Sequence, residues 1–196
     1  MALFTIVDQR NGVHGDLLEW TGEDFKPGSS ITEDNNIFVV GPQQATVTGD
    51  QSLRGAVNSP NEFDGNFAPD DDLLQSDKPG RAIRIDFVPP VKEVGSQLAI
   101  DMEDDEREFI GILRVIGTSG HTIEFRKPGA TPSTPDNSAI FLGVLCDGTG
   151  GEEIERIEFD VRKLRNSQPP IRSFCINQLS VRRVGAAVRA GRGGGR

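Results

Sequence analysis

The chain has no tyrosine and only one tryptophan, two histidines, two cysteines and two methionines among its 196 residues. Each scarcity excludes something. Sugar-binding surfaces commonly rest on Trp or Tyr, whose rings join an apolar face to a polar tip. Ring stacking here would fall to Trp20 and to phenylalanines, of which there are 11. Two cysteines, Cys146 and Cys175, cannot build a metal cluster unaided. They read as small buried hydrophobes, with their pairing left open because spacing does not give the Cα separation. His14 and His121 form no His-Glu-x-x-His zinc signature, and no Gly-x-Ser-x-Gly elbow accompanies Ser119. A Cys146–His121 dyad stands as the minor alternative to an inert thiol in the apolar context Phe141–Leu145. Gly148-Thr149-Gly150-Gly151 lacks the following Lys of a phosphate-binding loop and reads as a turn.

No apolar run is long enough to span a bilayer, and Met1–Phe4 leads straight into polar Asp8–Asn11 rather than into a secretory core. The expectation is a cytoplasmic chain or one lacking its leader. With 21 Lys and Arg against 30 Asp and Glu, the net charge is −9, which argues against general nucleic-acid binding and suits divalent cations. The charge is uneven: Asp70–Asp72 and the run Asp101–Glu106 are acidic, whereas the end from Arg182 is basic.

What is plentiful is glycine and proline, 23 and 12 residues, which punctuate strands and interrupt helices. The pattern predicts short strands at Leu3–Val7, Ile37–Val40 and Thr46–Thr48, then a long loop over Asn58–Pro69. From Arg81 to Val181 it sharpens. Ile83, Ile85 and Phe87 alternate with Arg84 and Asp86 as in a half-buried strand, which Pro89-Pro90 is expected to end. Further strands are predicted at Val94–Ile100, Phe109–Ile116, Thr122–Arg126, Ala139–Cys146, Ile154–Val161 and Phe174–Val181. Gly117–Gly120 turns the third into the fourth, and Pro128–Asn137 reads as a loop. The fold expected is all-β: a two-sheet antiparallel sandwich, jelly-roll-like, spanning residues 1–184. Its N-terminal segment is irregular, and a disordered Gly/Arg tail covers residues 185–196.

Two stretches, Phe63–Leu74 (FDGNFAPDDDLL) and Ile83–Gly95 (IRIDFVPPVKEVG), join Phe141–Val144 and Phe174–Val181 in a family pattern. Together they resemble uncharacterised bacterial β-sandwich ectodomains of the PEP-CTERM-associated, galactose-binding-like type. The resemblance covers roughly residues 63–181. It implies a sandwich and an exported or cell-surface setting, although the terminal hydrophobic anchor is missing. The closing strand of similar proteins often carries an acidic step where this chain has Asn177 and Gln178.

The best site candidate is the loop that leads into the sandwich. Asp64, Asn66, Asp70, Asp71 and Asp72 supply the oxygen donors that Ca2+ takes, though not in EF-hand spacing; the plain alternative is a solvated turn that caps a strand. Asp101, Glu103, Asp104, Asp105 and Glu106 read as an exposed hairpin tip. Trp20, Phe63 and Phe67 are the candidate ligand-binding rings, although Trp20 reads first as an anchor that pins the N-terminal segment onto the sandwich. The function expected is a non-catalytic module that binds a glycan or surface polymer through loops at one end of the sandwich. The alternative is a structural or assembly protein making homo-oligomeric or partner contacts through sheet edges and extended termini.

Overall fold

The computed structural model describes residues 4–7, 16–20, 28–32, 36–48, 53–57, 66–67, 71–101, 107–131, 139–147, 151–165 and 170–183. These form thirteen strands with antiparallel pairing throughout and, among the described residues, no helix. They are β1 (Phe4–Val7), β2 (Asp16–Leu18), β3 (Ile37–Val40), β4 (Gln43–Thr48), β5 (Leu53–Val57), β6 (Asp72–Ser76) and β7 (Ile83–Ile100). After them come β8 (Glu108–Gly117), β9 (Thr122–Ala130), β10 (Ile140–Cys146), β11 (Ile154–Lys163), β12 (Phe174–Ile176) and β13 (Leu179–Arg183). The tail at 185–196 lies outside the described residues.

The architecture is an all-β sandwich whose two layers share one strand. The first half of β7 lies between β4 and β11, and the layer continues to β3 on one side and to β8 and β9 on the other. The second half lies between β10 and the successive strands β12 and β13; β1 follows β10, β6 and β5 follow β12, and β2 follows β13. Pro89-Pro90 therefore does not end the strand, as the sequence suggested, but marks the corner where it changes layer. Buried Gln43 donates its side-chain amide to the Pro89 carbonyl at 2.8 Å, so the corner keeps a satisfied acceptor.

Alternation explains the core. Ile83, Ile85 and Phe87 from one half of β7 face Ile157, Phe159 and Val161 of β11, each 0–1% exposed. Leu98 and Ile100 from the other half meet Phe174 and Ile176 in the same cluster. Opposite the core, the outer face of the first layer is an ion-pair ladder. Register aligns Arg84, Glu158, Arg114 and Glu124 in one row. Arg114 reaches Glu158 at 2.6 Å and Glu124 at 3.1 Å. Opposite charges directly across strands support the pairing, each by a few tenths of a kcal/mol up to about 1.

Two other departures have local causes. β9 runs through Pro128 to Ala130 instead of yielding to a loop. Gly117 and Thr131 donate their N–H groups to His121 and Arg107, and counting by twos between them puts Pro128 where a missing N–H faces away from β8. The closing strand breaks into β12 and β13 at Asn177-Gln178. There the Asn177 side chain takes over the ladder, accepting from the Gln97 N–H at 3.1 Å and donating to the Gln97 side chain at 2.7 Å.

Candidate functional site

Two of the three expected ligand rings, Trp20 and Phe67, are inside the protein. Trp20 is 0% exposed, its indole N–H donating to the Asn177 carbonyl at 2.9 Å and its ring edge-on to Phe38 at 5.1 Å. It anchors the N-terminal segment, its ring held inside the protein. Phe67 is 2% exposed and, with Ala56, Leu73, Ala99, Ala139 and Cys175, forms a small second cluster. That cluster lies on the outer face of the second layer, because Cys175 pairs with Ala99 on the side opposite Ile176 and Ile100. Phe67 corrects the sequence reading, and at Trp20 the anchor holds in place of the ligand platform: burying a ring removes the stacking surface that a sugar would need. Phe63 lies outside the described residues.

The acidic loop is reached in part. Asp64 and Asp70 lie outside the described residues, and Asn66 is fully buried, its carbonyl accepting the Ala139 N–H at 3.0 Å. Asp72 opens β6 and, with Asp71 just before it, lines a small cavity of about 160 Å3 together with Glu19, Trp20 and Gln178. Burial, Glu19 and Asp71, in that order, push the Asp72 carboxyl above its ordinary range. Among the described residues no three His, Cys, Asp or Glu side chains converge to hold a metal ion. Of the run from Asp101, residues 102–106 lie outside the described residues.

Cys146 and Cys175 are both buried and not joined in a disulfide. They point to opposite faces of the second layer, Cys146 into the main core and Cys175 into the outer cluster. The Cys146 thiol donates to the Glu152 carbonyl at 3.0 Å, and His121 stacks on Phe4 at 6.3 Å. Ser119 donates its hydroxyl and its backbone N–H to the buried Glu152 carboxylate. The Ser119 hydroxyl is the main cause holding that carboxyl below the usual range; burial opposes it. This arrangement ties the β8–β9 turn to the segment before β11. A carboxylate held as an anion by a hydroxyl is a poor general base for that same hydroxyl.

A larger concave surface lies elsewhere, where both ends of β7 return to the same end of the sandwich. Pro79, shortly before β7, and Asp101, just after it, line one cleft of about 500 Å3. Strand register builds its floor. Arg54 of β5 pairs with Gln75 of β6, which pairs with Cys175, and the next residues outward are Asp77, Ser173 and Asp101. The floor is hydrogen-bonded: Arg54 Nε donates to Gln75 Oε1 at 3.2 Å, and Gln75 Nε2 donates to Asp77 Oδ1 at 3.0 Å. Arg54 Nη2 lies 3.4 Å from the same Asp77 oxygen, and the Asp101 N–H closes the edge onto the Ser173 carbonyl at 3.1 Å.

A second cleft of about 450 Å3 abuts the first and shares Pro79 and Ile171 with it. Its far side carries Arg162 and Lys163 from the end of β11, and its near wall is steadied by the Gly80 N–H on Asp160 Oδ1 at 2.8 Å. Volumes of this size are those of ligand pockets. Nothing in the sequence spacing pointed to Arg54, Gln75 or Ser173; the onset of the regular pattern at Arg81 and the strand end at Ile100 were its only traces.

The protein is thus an antiparallel β-sandwich with a polar double cleft at one end. No protein-family model matches the chain, and no curated protein matches it. Among solved structures, a DUF4465 family protein from Bacteroides caccae is similar at 9% identity and a TM-score of 0.40, over 91% of this chain and 99% of that one. A likeness at that level assigns neither family nor activity.

Proposed function

We propose that this chain is a non-catalytic binding module that takes a glycan or surface polymer at the loop end of the sandwich. The observation that carries the reading is the pair of abutting clefts, with a hydrogen-bonded Arg54–Gln75–Asp77 floor and an apolar ridge of Pro79 and Ile171 between them. A polyhydroxylated ring wants donors and acceptors on its edge and an apolar surface under its C–H face; the clefts offer all three without an aromatic ring. Loops at the end of a rigid sandwich vary while the sheets hold them in place. A glycan array tests this: the native chain is retained on a subset of spots, and Ile171→Asp loses that retention. Silence across the array contradicts the reading.

A second reading, contact with partner chains, is favoured by the outer face of β3 and β7. Val39, Gln44 and Val88 stand in one row across β3, β4 and β7, with Ile37 in the next, and Ile37, Val39 and Val88 are 50%, 62% and 59% exposed. Light scattering after size exclusion decides it. Self-association that Val39→Lys abolishes supports partner contacts, and a strict monomer at high concentration counts against contact between copies.

A further inference from the structure

The double cleft also states which kind of glycan it fits, an inference that rests on the binding reading above. We propose that its ligand is an extended acidic polysaccharide bearing carboxylates, of the uronate type, lying across the Pro79–Ile171 ridge.

Charge is the first reason. The chain carries −9 overall, yet among the described residues the two clefts are lined by four cations, Arg54, Arg172, Arg162 and Lys163, against two carboxylates, Asp77 and Asp101. Charges beyond about 8–10 Å are screened at physiological salt, so cations that line the clefts act on a ligand there more strongly than charges elsewhere on the chain.

Pre-organisation is the second. A guanidinium carries five N–H donors in a planar fork that matches a carboxylate. Gln75 and Asp77 hold Arg54 through Nε and Nη2, which fixes the plane of the fork and leaves Nη1 outside that network. A carboxylate that docks there meets a donor already oriented, so little side-chain freedom is lost on binding.

The acceptors are the third, and they decide between polyanions. Asp77 and Asp101 suit hydroxyl donors of a sugar but repel the closely spaced phosphates of a nucleic acid. The lining also holds no aromatic ring on which a base would stack. The length of the site is the fourth. Cations sit beyond the ridge on both sides, Arg54 and Arg172 on one and Arg162 and Lys163 on the other. Cations on both sides of the ridge suit a chain bearing several charges better than a single sugar acid.

The test is calorimetric titration of the full chain with oligogalacturonate, with its fully methyl-esterified form, which keeps the backbone and removes the charge, and with neutral oligogalactan. The expected result is binding of the free acid, weakening as salt rises, with the ester and the galactan at least about tenfold weaker. Arg54→Ala and the rim variant Arg162→Ala, each checked for an unchanged melting temperature, are expected to lose about tenfold in affinity for the acid. Equal binding of acid and ester overturns the acidic-ligand inference and leaves the binding module standing. Binding of none of the three, together with a silent glycan array, overturns both. Tight acid binding that neither variant weakens overturns the placement in this cleft.

Discussion

At the scale of single residues, Asp72 is the group most at odds with its surroundings. It opens β6 partly buried, beside Glu19 and Asp71, and all three influences favour its neutral form. An acid whose folded pKa is raised favours folding more as pH falls through that range and opposes it above. A cation at this corner would reverse the sign, so calcium, the ion that the sequence suggested for this loop, has a direct readout. Millimolar Ca2+ is expected to raise the melting temperature of the native chain. Asp72→Asn is expected to raise it without calcium and to abolish the calcium effect; no shift in the native chain removes the ion from the account. Whether a side chain faced inward was the part least legible in sequence. Trp20 stood out as the sole tryptophan, but its orientation depends on a carbonyl 157 residues away. Phe67 was legible as a loop aromatic, and its burial depends on Ala56, Leu73 and Cys175, brought beneath it only by strand pairing.

At the scale of elements, the β8–β9 hairpin was legible because Gly117-Thr118-Ser119-Gly120 separates two alternating runs, and its turn glycine adopts a φ of +80° at Gly120. The clamp that holds it was not legible, because Glu152 sits 33 residues from Ser119 and looks like one acid among many. The clamp gives the chain an acid limit. Ser119 keeps the Glu152 carboxyl below its ordinary value of 4.5, so this group stabilises the fold above that value and the contribution is lost as pH falls through the lowered one. Glu152→Gln is expected to cost about 1–3 kcal/mol at neutral pH and to flatten the acid limb of stability. Urea unfolding of both chains at neutral and acid pH measures it; an unchanged acid limb contradicts the assignment. Gly117 belongs to the same clamp, since any Cβ there would overlap the Glu152 carboxylate. β7 illustrates the limit of reading strands one at a time. Alternation placed Ile83–Phe87 and Val94–Ile100 correctly as strands. That they are one strand bent across two layers follows from partners on β4, β11, β10 and β12, which no local pattern contains.

At the scale of the molecule, the all-β sandwich was readable from Arg81 to Val181, where half-buried alternation and turn residues recur. The first eighty residues looked irregular because β2, β5 and β6 are short and gain their stability from β13 and β12 rather than from each other alone. Those short strands supply Arg54 and Gln75 to the cleft, so the least regular part of the sequence builds much of the candidate site. The outer face of the first layer is covered by ion pairs, whereas the described residues lining the two clefts include more cations than carboxylates. The claim that binding occurs at that end is tested most directly by an amide-resolved NMR titration with oligogalacturonate, run beside neutral oligogalactan. The account predicts saturable shifts confined to the Arg54, Asp77–Gly80, Arg162–Lys163 and Ile171–Ser173 amides. Saturable shifts centred instead on the β8–β9 face or on Asp71-Asp72 would contradict it.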